Sequence, residues 1–267
     1  MEEFKIESLS IKNIEGENPL FLAWKVGDKD IFEWFSGKID FFKARGDRNY
    51  KGQTIEHYVW MLWKHDIVHY INPLPDTKDF YGNLPIFYSI KNNDAIMINK
   101  YFKKGKQYFH IRNYKNQNLF HIAAQYNSFE ALMSIVKNNI FFEELLKKDH
   151  KGDTPIHVAA KAGSVEVLEF YLSNCTSKFL EIENDFGLTP LESTKDKIKF
   201  LEAEEVNKKE DDIFKSKVYD IKRGEELISN FDNWIWEEKW NYDINYKEFL
   251  SKCDPDLKLF MNFTKPL

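Results

Sequence analysis

The sequence predicts an all-α protein in which short helices stack in pairs along one axis. A turn motif recurs six times, with anchors at Gly16, Gly52, Gly82, Asn116, Gly152 and Gly187. Successive anchors are 36, 30, 34, 36 and 35 residues apart, which is close to one constant period. After the best-preserved turns, apolar residues recur at the spacing of amphipathic helices. Short helix pairs cannot bury their apolar faces alone, so each pair must pack on its neighbours.

The clearest copy of the repeat runs from residue 149 to residue 172, DHKGDTPIHVAAKAGSVEVLEFYL. Gly152 is free to take a positive φ, as a tight turn requires. Thr154 is a predicted N-cap, and Pro155 suits the first position of a helix. Gly163 ends that helix, and apolar residues at helical spacing then predict a second one.

This stretch resembles an ankyrin repeat, because its turn and paired helices follow that pattern and residues 154–159, TPIHVA, match the T-P-L-H-x-A signature except that Ile156 replaces Leu. The resemblance implies an ankyrin-repeat α-solenoid of about six repeats over residues 1–200. Residues 201–267 are then a helical, aromatic-rich C-terminal cap or a small separate module. The family also implies a structural role for the signature histidine, which falls at His121 and His157.

Some copies depart from the pattern. In the second repeat, Val59 and Trp60 occupy positions where two small residues are expected, and in the sixth, Thr194 and Lys195 do so. Terminal repeats are expected to be atypical because one face has no neighbour. Looser copies of the second helix are predicted at residues 28–35 and 66–71.

The repeat pattern ends near Leu201 and a charged run, residues 202–212, follows. Apolar residues then predict an amphipathic helix over residues 213–231, which Gly224 weakens. Asp232 is in a position to cap a further helix that carries Trp234, Trp236 and Trp240. Both interpretations of this region, a cap on the last repeat and a separate module, stay open at this point.

Composition and motifs exclude several classes of function. The net charge of −5 argues against a nucleic-acid binder, and no apolar run reaches the ~18 residues of a membrane span. Two cysteines, Cys175 and Cys253, do not provide a disulfide framework, so we expect a cytoplasmic protein. No phosphate-binding glycine loop, metalloprotease motif or nucleophile elbow occurs. His65 and His69 have the spacing of metal ligands, but no other ligand completes a site. We therefore expect no enzyme, cofactor or metal.

Aligning the six turns defines two columns of side chains. At position −2 relative to the anchor, the second to fifth turns carry Tyr50, Phe80, Tyr114 and His150. At position −1 they carry Lys51, Tyr81, Lys115 and Lys151. In ankyrin proteins these turns form the rim of a concave groove that binds partners, and the resemblance adds Lys91, Gln125, Tyr126 and Lys161 on the inner helices. The alternative is that the rings only pack on adjacent turns.

These columns predict a non-catalytic scaffold or adaptor that binds another protein. Exposed aromatic rings are typical of interface hot spots, and neighbouring lysines favour an acidic segment of the partner. We expect a monomer that does not bind nucleic acid. A second hypothesis follows from the composition, which is rich in Lys, Asn and Phe and resembles that of ankyrin effectors delivered by intracellular bacteria into the host cytosol. In that case, residues 201–267 carry an enzymatic or membrane-surface activity based on Asp232, Glu237, Glu238 and Asp243 or on the three tryptophans.

Overall fold

The computed structural model describes residues 11–26, 30, 46–62, 77–103, 110–137, 142–174, 177–205 and 212–238. These residues form α-helices, short 3₁₀ helices and turns, and no β-strand occurs among them, which confirms the predicted all-α class. The hypotheses on His65 and His69 and on residues 66–71 and 239–267 fall outside the described residues, as does most of the helix predicted at 28–35.

The α-helices of the described residues form two rows. They are α1 (Pro19–Val26), α2 (Ile55–Met61), α3 (Pro85–Lys91), α4 (Ala95–Phe102), α5 (Leu119–Tyr126), α6 (Phe129–Lys137), α7 (Pro155–Ala162), α8 (Val165–Asn174), α9 (Pro190–Glu205) and α10 (Asp212–Glu238). In the inner row, α1, α2, α3, α5, α7 and α9 pack in that order. In the outer row, α4, α6, α8 and α10 follow one another. The 3₁₀ helices Phe142–Leu146 and Ser177–Phe179 precede the fifth and sixth turns.

One Asn or Asp side chain holds each turn together, three residues before the anchor. Its Oδ1 accepts hydrogen bonds from the backbone N–H groups two and four residues later, at 2.8–3.1 Å. These side chains are Asn13, Asn49, Asp79, Asn113, Asp149 and Asn184. The anchor takes a left-handed conformation, with φ between 59° and 79°. The turn therefore needs a short acceptor side chain and then a residue that tolerates positive φ, which explains the repeated Asn/Asp and Gly/Asn.

The six turns, residues 13–17, 49–53, 79–83, 113–117, 149–153 and 184–188, are called the fingertip turns below. They stack through one ladder of backbone hydrogen bonds. Each position −2 N–H donates to the position −1 carbonyl of the preceding turn, at 2.9–3.1 Å. The five donors are Tyr50, Phe80, Tyr114, His150 and Asp185. This ladder keeps the columns that the alignment predicted in step along the array.

The signature histidines connect consecutive repeats. In α2, α5 and α7, the Nδ1 atom of His57, His121 or His157 accepts a hydrogen bond from the backbone N–H of the N-cap residue. Their Nε2 atoms lie 2.9–3.1 Å from a backbone carbonyl oxygen of the next turn. A carbonyl oxygen only accepts, so each Nε2 carries the proton. Each Nδ1 accepts from the N-cap N–H and carries none, so the ring is neutral. Burial lowers the pKa of all three rings, and that of His121 falls to about 4.

The core runs along the interface between the rows. Ala123 and Ala124 of α5 are fully buried, and their small side chains let neighbouring helices approach closely. In the second repeat, the larger residues Val59 and Trp60 occupy the positions of these two alanines and are buried as well. The Trp60 ring meets Tyr101 of α4 edge to face, with the ring centroids 5.5 Å apart.

The connection within each helix pair changes along the array. Asn93 and Asn127 take left-handed conformations there, with φ of 58° and 51°. Their Oδ1 atoms accept hydrogen bonds from the N–H groups of Ala131 and Val167, near the start of the next outer helix. The fifth repeat has Gly163 at this position, also left-handed, with φ of 70°.

Helix α10 passes directly over Gly163. A Cβ atom on Gly163 would lie 2.7 Å from the backbone of Asp220 and Ile221, so no larger residue fits. On α10 itself, Gly224 faces Leu168 and the carbonyl of Ala160, so this glycine lies at a helix crossing. The helix is continuous from Asp212 to Glu238. The expected start of another helix at Asp232 is therefore wrong, because the turn before it contains no Gly or Pro that would end the helix.

Candidate protein-interaction surface

The rings at the fingertip turns are packed on one side and open to solvent on the other. A Cβ atom on Gly82 would lie 2.5 Å from the backbone N of Tyr114 and 2.6 Å from its ring, so this ring covers the preceding anchor. The exposed fractions of Tyr50, Phe80 and Tyr114 are nevertheless 66%, 64% and 60%. Packing on the adjacent turn and display to solvent are thus compatible in this column.

A cleft of about 380 Å³ opens between the third and fourth turns and between α3 and α5; it is called the aromatic cleft below. The residues selected from the sequence that line it are Phe80, Tyr81, Lys91, Tyr114, Lys115, Gln125 and Tyr126. The other lining residues are Asn83, Phe87, Tyr88, Asn113, Gln117 and Ile122. The structure therefore brings seven of the twelve selected residues to one place.

Most of the lining residues that the sequence did not single out occupy fixed positions of the repeat. Tyr88 and Ile122 stand at the variable position of the signature, directly after the histidine position. Asn83 and Gln117 end their turns, and Phe87 replaces the histidine itself. All of these positions recur in the alignment of the six copies, at the end of the turn and in the first turn of the helix that follows.

Hydrogen bonds fix the polar wall of the aromatic cleft. The Tyr88 hydroxyl donates to Oδ2 of Asp79 at 2.6 Å and accepts from Nε2 of Gln53 at 2.7 Å. Burial and the Asp79 carboxylate raise the pKa of Tyr88, so the hydroxyl stays protonated and keeps this direction. Across the cleft, Nδ2 of Asn113 donates to Oδ1 of Asn83 at 3.2 Å. Residues of three consecutive turns therefore hold the cleft in one shape.

The charge around the aromatic cleft is positive, although the chain as a whole carries −5. Lys91 and Lys115 line the cleft, and none of the described residues that line it is Asp or Glu. The ammonium of Lys91 lies 4.9 Å from the centroid of the Tyr126 ring, and that of Lys78 lies 5.5 Å from the Tyr114 ring. The cleft thus combines aromatic faces with cations, which suits an anionic and partly apolar ligand.

The five selected residues outside the cleft lining divide into two groups. Tyr50, Lys51, His150 and Lys151 are exposed along the same columns of fingertip turns. Lys161 instead donates to Oδ2 of Asp153, a buried carboxylate that also accepts from Asn184 at 2.9 Å. Its charge is therefore matched by Asp153, and Lys161 contributes to packing between the fifth and sixth turns.

A second cluster of charged groups surrounds Glu144. Its carboxylate accepts hydrogen bonds from Nδ1 of His110 at 2.8 Å, from Arg112 and from Nδ2 of Asn118 at 3.0 Å. Burial alone would raise the pKa of Glu144, but these hydrogen bonds and the Arg112 charge together lower it. The carboxylate is fully engaged and braces the start of α5, so we assign it a structural role.

Groups of metal ligands and membrane-spanning helices are both absent from the described residues. No group of three or more His, Cys, Asp or Glu side chains in those segments is arranged to hold a metal ion. None of the helices within them is both long and apolar enough to cross a bilayer. The side chains of Trp234, Trp236, Glu237 and Glu238 lie outside the described set, as do Trp240 and Asp243 altogether.

Comparison with known proteins gives one family match. A family model described as ankyrin repeats (many copies) matches residues 103–170. The match contains the fourth and fifth fingertip turns, helices α5 to α7 and most of α8. No curated protein matches the chain.

Proposed function

We propose that this chain, an ankyrin repeat protein, binds another protein through the aromatic cleft and the exposed fingertip turns and acts as a non-catalytic scaffold or adaptor. Ankyrin repeats generally mediate protein–protein interaction. The observation that carries the proposal is the aromatic cleft, where exposed rings and two lysines from two repeats converge.

The energetics of such a surface favour binding. Tyr and Phe offer large contact areas with few rotatable bonds, so ordering them on binding costs little conformational entropy. The backbone ladder and the Tyr88 and Asn113 hydrogen bonds already hold the surrounding turns. Truncating a ring of this kind typically costs about 2 kcal/mol or more of binding free energy when it is a hot spot.

The lysines support an acidic segment in the partner. Lys51, Lys115 and Lys151 are exposed on successive turns, apart from the third, where Tyr81 stands. Cations of this kind accelerate the encounter with an acidic surface and select against basic ones. We therefore propose that the bound segment is acidic, and that raising the salt concentration weakens the complex.

We also propose that α10 caps the sixth repeat. Its described apolar residues Val218, Ile221 and Ile228 are buried, and Gly224 crosses α8 closely. The helix occupies the place in the outer row that a second helix of the sixth repeat would take. Repeat arrays need a cap that shields the last repeat from water, so these contacts favour a cap over a separate module.

The test compares the proteins that two variants capture from cell lysate. One variant carries Tyr81→Ala and Tyr114→Ala in the aromatic cleft; the control carries Tyr219→Ala, an equally exposed tyrosine on α10. We expect the cleft variant to lose proteins that wild type and control both retain, at unchanged thermal unfolding temperature. Identical sets of captured proteins for all three would refute the proposal.

A further inference from the structure

We propose that the bound segment is an acidic stretch in a polyproline-II-like conformation, with one apolar side chain in the aromatic cleft and acidic side chains spaced three residues apart. The inference rests on the proposed function, because it specifies the partner of the same surface. It follows from the period of the fingertip turns and from which residues stand at position −1.

The spacing expected between packed repeats matches the period of a polyproline II helix. Packed helices lie about 8–10 Å apart, and the fingertip ladder joins the turns of adjacent repeats one to one. A polyproline II helix advances about 3.1 Å per residue with three residues per turn, so side chains three apart are ~9 Å apart on one edge. A β-strand repeats on one face every ~6.6 Å and loses step with the turns after one repeat.

The position −1 column determines the chemistry at each step. Lys51, Lys115 and Lys151 are exposed, and their ammonium groups form no ion pair within the described residues. Tyr81 interrupts the lysines at the third turn, where the aromatic cleft opens. A segment in step with the turns therefore reads acid-x-x-apolar-x-x-acid-x-x-acid, in one chain direction or the other.

The aromatic cleft suits the apolar residue of that pattern. Phe87 and Ile122 in its lining are buried, and the rings of Tyr114 and Tyr126 flank the opening. Its volume of about 380 Å³ accommodates one large side chain with part of the adjoining backbone. Polyproline II segments dock into grooves lined by aromatic rings because they are already extended and lose little entropy on binding.

The first experiment measures binding of synthetic ten-residue peptides by fluorescence anisotropy. The test peptide has Asp at positions 1, 7 and 10 and Phe at position 4, with Pro and Ala between them, and its reversed sequence is measured as well. The control is an isomer of identical composition with the acidic residues two positions apart. We expect one of the period-three peptides to bind at least about tenfold more tightly than the isomer.

The second experiment reverses one charge. Lys151→Glu should weaken the period-three peptide about tenfold, and a peptide with Lys in place of the Asp six residues from the Phe should regain the loss. Lys137→Glu, at the exposed end of α6, is the matched control and should leave binding unchanged.

The outcomes separate this inference from the proposed function. Equal affinity of the isomers, absence of binding by all the peptides, or no recovery on charge reversal overturns the three-residue pattern. In each case, the loss of captured proteins in the Tyr81→Ala/Tyr114→Ala variant still supports binding at the aromatic cleft. Conversely, if a period-three peptide binds the double variant and the wild-type protein with equal affinity, both the three-residue pattern and binding at the aromatic cleft are refuted.

Discussion

Two neighbouring junctions of this array share a backbone arrangement and differ in what their side chains do. The cleft junction joins the third and fourth turns, and the histidine junction joins the fourth and fifth. Tyr114 donates to the Tyr81 carbonyl at 3.0 Å in the first, and His150 donates to the Lys115 carbonyl at 2.9 Å in the second. The ladder is therefore the same in both.

The difference begins at one signature position. At the histidine junction, His121 reaches the carbonyl of Asp153 at 2.9 Å, and the small residues Ala123 and Ala124 follow. At the cleft junction, Phe87 stands in place of the histidine and lines the aromatic cleft with Tyr88. Both junctions share the backbone ladder, whereas the residue at the signature position either reaches the next turn through a hydrogen bond, as His121 does, or lines the aromatic cleft, as Phe87 does.

The largest effect is expected from His121→Ala, which removes the tie at the histidine junction. The buried N–H of Asn118 and carbonyl of Asp153 lose a partner, and a cavity forms, so the free energy of unfolding should fall by about 3 kcal/mol. Urea unfolding measures the change. The control His150→Ala removes an exposed ring and should alter the free energy of unfolding by less than about 0.5 kcal/mol. Equal losses in the two variants would contradict the assigned role.

Acid should weaken the histidine junction and spare the cleft junction. The pKa of His121 is about 4 in the folded chain, below the ordinary value of 6.5, so the unfolded chain takes up the proton first. Neutral His121 makes its full contribution to the free energy of unfolding above pH ~6.5. This contribution falls by on the order of 3 kcal/mol as the pH drops towards 4. Unfolding at pH 7 and pH 5 captures about 2 kcal/mol of this change. His57 and His157 act in the same direction, so His121→Ala should flatten the dependence only in part.

A smaller loss is expected from Gly82→Ala at the cleft junction. Alanine there has an unfavourable positive φ, and its Cβ would collide with the backbone of Tyr114. We expect the free energy of unfolding to fall by about 2–3 kcal/mol, with a displaced Tyr114 ring. The matched change at the next anchor is Asn116→Ala, which starts from a residue that already has a Cβ and should cost about 1 kcal/mol. Chemical denaturation of both variants provides the comparison, and a smaller cost at Gly82 would contradict the model of the turn.

Apart from the control variants, the smallest change in stability is expected from Phe87→His, which gives the cleft junction the residue of its neighbour. The new ring can donate to the Gln117 carbonyl, and this gain offsets much of the lost apolar burial, so the net change should stay within about 1 kcal/mol. Peptide binding at the aromatic cleft should weaken about tenfold. Anisotropy and urea unfolding test the two parts separately, and unchanged binding would exclude Phe87 from the binding surface.

The repeated features were predictable from sequence because each depends on local backbone chemistry. Positive φ at the anchors, the Thr154 N-cap and the left-handed Gly163 all follow from residue type and spacing. The Asn/Asp column three residues before the anchor depends on the same local chemistry. It becomes evident only when all six turns are aligned, because a single Asp in one turn is common in any turn. The repeated spacing also placed seven of the twelve selected residues beside one another.

Features that depend on residues distant in sequence were not predictable. The partner of Lys161 is Asp153, which is buried between turns, and no spacing rule indicates that pairing. The aromatic cleft appears where Phe87 departs from the signature, yet its opening depends on how two helices pack. The continuous α10 was missed because Asp232 resembles a cap, although nothing in the preceding turn stops the helix.

The residue between the paired helices matches the part of the next outer helix that lies over it. Asn93 and Asn127 each bind the N-terminus of another short helix, whereas Gly163 leaves room only for the backbone of α10. We expect Gly163→Ala to displace α10, because the added Cβ would meet the backbone of Asp220 and Ile221. Asn127→Ala should only remove the hydrogen bond to the N–H of Val167.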